Sequence, residues 1–252
     1  MSKKPYRGIN TVCLWAGSQA KGYERGEWGT YNQWQDRGAQ VRKGEKATTV
    51  VFRKFANTEA QEDSEERAAT GSRLLFTRGY SVFNAAQVDG YAPKSDAGTP
   101  IEERIERAEA FFGRINARVV HQGNRAFYSP SDDAITLPPF AAFFTPVDYY
   151  STRAHETGHW TSKADRCNRE LGKRFGDSAY AVEELVAELS AAFVCSHLGL
   201  SSEPRPDHAQ YIGSWLKVLK ADKRAIFTAA SKAQQAADFL IKQSDRTAEV
   251  AA

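Results

Sequence analysis

The sequence is short of cysteine, histidine, long apolar runs and any strong excess of one charge, and each shortage narrows what the chain can be. Its three cysteines, Cys13, Cys167 and Cys195, are scattered and form no CxxC spacing. That excludes a cysteine zinc site and a disulfide framework, and it points to a reducing compartment. No apolar stretch approaches the roughly 20 residues that a membrane span needs, and no basic-then-apolar signal segment opens the sequence. The expected location is therefore the cytoplasm, with no membrane partner. Lysine and arginine number 34 against 31 acidic residues, a formal net charge of +3, so no overall field selects nucleic acid as a partner. A chain of 252 residues has room for one large or two modest domains with a core in each. No internal repeat is visible.

Against only five histidines, two fall in one pentapeptide, His155-Glu156-Thr157-Gly158-His159. This is an HExxH motif, and on a helix residues four apart share a face. His155 and His159 then offer two imidazoles to one metal ion, with Glu156 beside them in the same cleft. The plain alternative is an exposed polar helix face. A catalytic zinc site needs a third protein ligand and an open position, and the run Val182-Glu183-Glu184-Leu185-Val186-Ala187-Glu188-Leu189 supplies candidates. It is helical in composition, with an apolar stripe through Val182, Leu185, Val186, Leu189 and Phe193. Glu184 is expected to ligate the metal, and Glu188, one turn on, to receive the free N–H of a ligand histidine. Glu183 is expected to be solvated.

The chemistry expected of such a site is hydrolysis. A bound Zn2+ lowers the pKa of its water toward about 7, and Glu156 is placed to take that water's proton as general base. Candidate donors to the oxyanion are Tyr180, His208 and Tyr211, the last two standing i, i+3 at a helix start. The same donor types suit Mn2+ or another divalent ion.

Two breaks organise the chain. The acidic, alanine-rich stretch from Asn57 to Ser72 reads as a long surface loop between strand-like segments over Thr48–Phe55 and Leu74–Phe83. Gly90 to Pro100, rich in Pro, Gly and Ser, reads as a linker. The expected domains cover residues 1–90 and 101–252, with the linker over 91–100. In the second domain the pattern predicts a helix over Ile101–Phe112 and strands over Ala117–His121, Ala126–Ser129 and Asp133–Pro138. The last, bounded by prolines, is expected at a sheet edge, where it could hold a peptide by strand addition. Helices are expected over Tyr149–Asp165 and Tyr180–Leu198, with Gly199 as C-cap, and two more over Asp207–Ile241, ahead of a polar tail after Ser244. The fold class is α+β.

The first ninety residues carry no catalytic constellation, but eleven Lys or Arg stand against four acids between Lys3 and Lys54. Aromatic residues are interleaved among them. Tyr6, Arg7, Trp15, Tyr23, Trp28, Tyr31, Trp34, Arg42, Lys43 and Lys46 are candidates for single-stranded DNA binding, with bases stacking on rings and phosphates meeting cations. The competing reading is a small aromatic core with a basic rim.

Several of these motifs resemble one family. Pro5-Tyr6-Arg7-Gly8-Ile9-Asn10, Trp28-Gly29-Thr30-Tyr31-Asn32-Gln33-Trp34 and Gly38-Ala39-Gln40-Val41-Arg42-Lys43-Gly44-Glu45 are similar to the N-terminal domain of plasmid ArdC-type antirestriction proteins, a domain shared with TraC-type conjugative primases. His155 to Trp160, Tyr180 to Glu188 and His208 to Leu216 resemble the zincin-like metallopeptidase domain that follows it. Members usually carry a further segment before the first of these motifs, on which this sequence begins almost at once. The resemblance implies a small N-terminal α/β domain that binds single-stranded DNA, fused to a gluzincin-like domain, with His155, His159 and Glu184 on the metal and Glu156 catalytic. It further implies protection of incoming DNA from host restriction during conjugation. Three functions follow as expectations: DNA binding joined to cleavage of a host protein, DNA masking with a structural metal, or a peptidase whose basic domain docks a protein.

Overall fold

The computed structural model describes residues 6–23, 26–55, 74–92, 101–169, 178–200, 220, 222 and 224–251. The expected loop over 57–72, most of the linker, His208 and Tyr211 lie outside them. The chain divides into two compact units, Met1–Ala97 and Gly98–Ala252.

In the first unit, β-branched and aromatic residues favour two long strands, here β3 (Thr48–Phe55) and β4 (Leu74–Asn84), which pair antiparallel with Thr48 opposite Val82 and Phe52 opposite Arg78. The short β1 (Trp28–Thr30) lies on the far side of β4, giving the order β1-β4-β3. The outer edge of β3 meets helix α1 (Ile9–Lys21). Asn10 donates from Nδ2 to the Val51 carbonyl at 2.8 Å and accepts the Val51 N–H at 2.7 Å. One side-chain amide thus satisfies a stretch of sheet edge as a neighbouring strand would. Helix α2 (Tyr31–Gln35) starts at a capping box between Thr30 and Gln33, and β2 (Gln40–Val41) pairs with β5 (Val88–Asp89).

Among the described residues, two small cores hold this unit. Leu14, Trp28, Val50 and Val82 form one, with Tyr6 and Tyr23 packed against it. Trp34, Ala39, Val41 and Val88 form the other. Trp34 has no exposed surface and donates its indole N–H to the Phe83 carbonyl at 3.0 Å.

In the second unit, α3 (Ile101–Gly113) precedes a three-stranded sheet of β6 (Arg118–His121), β7 (Phe127–Ser129) and β8 (Ala134–Leu137) in the order β6-β8-β7. β8 is therefore central, not an edge: it runs parallel to β6 and antiparallel to β7, and all four of its residues are buried. The prolines misled because Pro138 falls just past the last paired residue, where it removes no ladder hydrogen bond. Among the described residues, the edges of this sheet are β6 and β7.

Helix α4 (Pro146–Trp160) begins three residues earlier than expected, since Thr145 and Asp148 form a capping box and Pro146 takes the first turn. Helix α5 (Ser178–Leu198) ends at Gly199, whose φ of 72° lets its N–H and that of Leu200 reach back to the Ser196 and Cys195 carbonyls. Helix α6 (Ala225–Ala251) runs on through the segment read as a polar tail, with Ser244 buried, and most of the region before it, where a further helix is expected, lies outside the described residues. Its buried face is mostly alanine, from Ala229 to Ala237. α5 packs against both α4 and α6, so it is buried on nearly every side. Among the described residues, no helix is long and apolar enough to cross a membrane.

Candidate metal centre

Helix α4 is anchored before it reaches the site. Tyr150 donates to Glu109 of α3 at 2.6 Å, and Arg153 donates to the Phe112 carbonyl at 3.3 Å. One turn on, α4 and α5 come very close. A Cβ at Gly158 would stand 2.4 Å from Ser190 Oγ and 3.4 Å from Ala187, so the fourth residue of the motif has no room for a side chain.

That close approach aims the two imidazoles at α5. His155 Nε2 and His159 Nε2 lie 3.2 Å apart. Glu184 brings Oε2 to 3.6 Å from the first and Oε1 to 3.5 Å from the second. One atom from each of the three side chains lies within 4.8 Å of the others, and all three residues are at least nine-tenths buried. A tetrahedral zinc ion with ligands at about 2.05 Å requires ligand atoms about 3.3 Å apart, so the spacing fits an ion held by these three. A further observation agrees. Glu184 Oε2 is buried with no hydrogen-bond donor, a costly state for a carboxylate oxygen that a cation relieves.

The electrostatics favour positive charge here. Burial opposes the imidazolium of His159, but Glu183 and Glu184 outweigh it and push its pKa up to about 10. The pKa of His155 is raised as well, by Glu184 and Glu188 against the effect of burial. Burial works against the charged forms of Glu184 and Glu183, yet the imidazoles, joined at Glu183 by Arg169, hold both carboxyls below the usual range.

Each histidine has its own supporting carboxylate. His155 Nδ1 faces Glu188 Oε1 at 3.1 Å, off the line of a straight hydrogen bond. His159 Nδ1 faces Glu183 Oε1 at 3.4 Å. The expectation that Glu183 is solvated is therefore corrected: it is 3% exposed, because α5 has no solvent face there. Arg169 secures it, donating from Nε and Nη2 to its two oxygens at 3.0 and 2.8 Å, and also to the Gly158 carbonyl and Thr161 Oγ1. Sequence reasoning missed Arg169 altogether. Glu156 is buried one residue from His155, and its charge contributes to the raised pKa of His159. Tyr180 is half-buried at the start of α5.

The DNA-binding candidates of the first unit fall into different settings. Trp28 and Trp34 are 4% and 0% exposed and offer no ring face to a base; they build the two cores, and that expectation is corrected. Tyr6, Trp15 and Tyr23 are half-buried, with the Tyr23 ring edge-on to Trp28. Arg7, Tyr31, Arg42, Lys43 and Lys46 are exposed. Tyr31, Arg42 and Lys43 come together with Gln40, Val41, Glu45, Phe83 and Asp89 around a cavity of about 660 Å3. Arg42 also braces the scaffold, donating to Glu45 at 2.9 Å and to the Ala86 carbonyl.

Comparison with known proteins divides the chain in the same sense. Residues 1–83 match the N-terminal domain of anti-restriction factor ArdC, and residues 106–232 match the zincin-like metallopeptidase family. An uncharacterized protein of Sinorhizobium fredii, y4eC, is 51% identical over 248 residues, covering 97% of this chain and 80% of that protein. A DNA primase TraC of Escherichia coli is 37% identical over 94% of this chain, which spans only 17% of that primase. The crystal structure of metal-free ArdC from plasmid R388 has a TM-score of 0.75 at 38% identity, covering 96% of this chain and 86% of that one. Its Mn(II)-bound form gives 0.71 at 40% identity with the same coverage. This chain belongs to the ArdC antirestriction family, with an ArdC-type N-terminal domain ahead of a zincin-like metallopeptidase domain.

Proposed function

We propose that this protein shields DNA entering a cell on a mobile element from host restriction, binding single strands through its first unit and hydrolysing a peptide bond of a host protein at the centre between α4 and α5. The observation that carries the reading is the convergence of His155, His159 and Glu184 beside Glu156, with a separate carboxylate behind each histidine. A purely structural site has no use for a buried general base beside its ligands. Zinc is the ion proposed, with manganese the alternative that the same donors accept.

When bound, the cation supplies Lewis acidity and a water of lowered pKa. The chain's own residues do the rest. Glu156 takes the proton of the attacking water and passes it to the leaving amine. Glu188 and Glu183 hold His155 and His159 in one tautomer and orientation. Tyr180, His208 or Tyr211 donates to the oxyanion. On the DNA side, Arg7, Tyr31, Lys43 and Lys46 are the exposed members of the basic and aromatic set, and Arg42 joins them at the cavity rim. The relatives support this partner, one being a DNA primase and another an antirestriction protein. The proposed place of action is the cytoplasm.

The test is conjugative transfer of an unmodified plasmid into restricting and non-restricting recipients, with the donor supplying the wild type or Glu156→Gln. Protection by the wild type alone supports hydrolysis as the activity. Equal protection by both overturns it and leaves DNA masking, with the metal tying two helices together.

A further inference from the structure

One face of the β3–β4 hairpin changes character along its length. Near the base, Val50 and Val82 are buried under Leu14 of α1 and Trp28. Side chains on a strand return to the same face every second residue, so Phe52 of β3 and Tyr80, Arg78 and Phe76 of β4 continue that face away from the core, with Phe52 paired opposite Arg78. Here the cover ends. Phe76 is 45% exposed and Tyr80 38%.

These side chains form one cluster. The Phe52 ring lies 6.3 Å from both the Phe76 and the Tyr80 rings, and the Arg78 guanidinium sits 5.2 Å over the face of Tyr80. The cation–π contact holds the guanidinium at the ring surface, with its N–H edge available to an acceptor. The two strands contain Arg53, Lys54 and Arg78 and no acidic residue at all.

We propose that Phe52, Phe76, Arg78 and Tyr80 form a base-stacking face for single-stranded DNA. The inference rests on the proposed function for the choice of ligand and adds the surface that takes it. Exposed rings side by side on a sheet give bases a platform that needs no sequence readout. A cation among them, on strands free of carboxylates, meets the phosphates. None of these four residues stands out in the sequence, because their exposure depends on where α1 stops covering the sheet.

The experiment measures anisotropy of labelled oligothymidylate and of a matched abasic strand with the full chain, across a series of salt concentrations. Three proteins are compared: the wild type, Phe76→Leu/Tyr80→Leu, and Arg78→Gln. The leucines keep apolar volume at exposed positions, and tryptophan fluorescence verifies the fold. The wild type is expected to prefer oligothymidylate to the abasic strand. The double variant is expected to bind oligothymidylate at least about fivefold more weakly, with the abasic strand unaffected. Arg78→Gln is expected to reduce the slope of log K against log salt by about 0.7, the loss of one phosphate contact. Wild-type affinity in both variants overturns this face while the DNA reading stands, as does equal wild-type binding to the two strands. No binding by the wild type at low salt overturns both.

Discussion

Arg169 grips Glu183 through two parallel hydrogen bonds of 3.0 and 2.8 Å, and Glu183 in turn faces Nδ1 of His159 at 3.4 Å. A residue outside any helix or strand thus sets the orientation of a proposed metal ligand through one intermediary. Replacing such an outer partner costs about 10–100-fold in metal affinity, and that is the expected loss for Glu183→Gln in competition titrations of Zn2+ or Mn2+ against a chelator. The single change also leaves the Arg169 charge buried and unpaired, which destabilises by about 3–5 kcal/mol. Glu183→Gln/Arg169→Met removes both charges, so it should recover much of the stability while metal affinity stays low. Recovery of affinity in the double variant would show that Glu183 acts only on the fold.

Gly158→Ala should strain the contact between α4 and α5. The added methyl meets Ser190 Oγ at 2.4 Å and Ala187 at 3.4 Å, and overpacking of this kind costs about 1–3 kcal/mol. Ser190 Oγ also donates to the Ala187 carbonyl, so it is not free to swing away at no cost. A lowered Tm is expected for Gly158→Ala, with partial recovery in Gly158→Ala/Ser190→Ala. Additive losses in the two-residue cycle would show that the helices relax elsewhere.

The grouping at the candidate metal centre is legible where helix spacing maps sequence onto geometry. His155, His159, Glu184 and Glu188 follow from steps of four within two helices, and the Gly199 cap follows from the chain's need for a left-handed residue. Glu183 was not legible. Its partner lies 14 residues upstream in an irregular segment, and α5 is buried on nearly every side, so no solvent-facing stripe marks which glutamate is buried. Trp28 and Trp34 illustrate a second limit: rings interleaved with basic residues fit a core and a stacking surface equally well, and only packing decides. Strand order is a third. The short run ahead of Pro138 reads as a strand, but the neighbours of β8 on both sides are set by contacts that its own residues do not encode. The bond between Asn10 and Val51 spans 41 residues and has no local signature.

Asp133 should make stability fall with acid. It sits at φ 47° in the turn before β8 and accepts hydrogen bonds from Arg166, Lys163 and Tyr128 at 2.6 to 3.2 Å. Arg166 above all, with Lys163 and Tyr128, holds its carboxyl well below the usual range. A depressed carboxyl contributes stability that is fully present above its unfolded pKa of about 3.9 and is lost as pH falls through the folded value. Thermal melts from neutral pH downward should show that loss in the wild type. Asp133→Asn keeps tolerance of the left-handed backbone but not the charge, so it should melt lower at neutral pH and respond less to acid. Parallel curves for the two proteins would rule Asp133 out as a source of the acid response.

Glu156→Gln and His155→Ala should part the two roles of the motif. The first removes a carboxylate that is not among the three converging groups, so metal content after dialysis should match the wild type while any hydrolysis is lost. The second removes one of the three, and both should go. Metal loss from Glu156→Gln would mean that this carboxylate, not Glu184, helps hold the ion.

Metal binding should release protons at neutral pH. With the His159 pKa pushed up to about 10, the site holds at neutral pH a proton on that imidazole, which a metal needs neutral. For the metal-free fold, this imidazolium–carboxylate arrangement contributes stability that is fully present below the unfolded histidine pKa of about 6.5. It is lost as pH rises through the folded value of about 10. Metal competes with the same proton, so affinity should climb with pH across that window. Calorimetric titration at pH 7 in buffers of different ionisation enthalpy reads the effect directly: the apparent binding enthalpy should shift in proportion to the buffer's own, with a slope equal to the protons released. A slope of zero would mean that both histidines are already neutral before metal arrives, and that the carboxylates around them act by position rather than by charge.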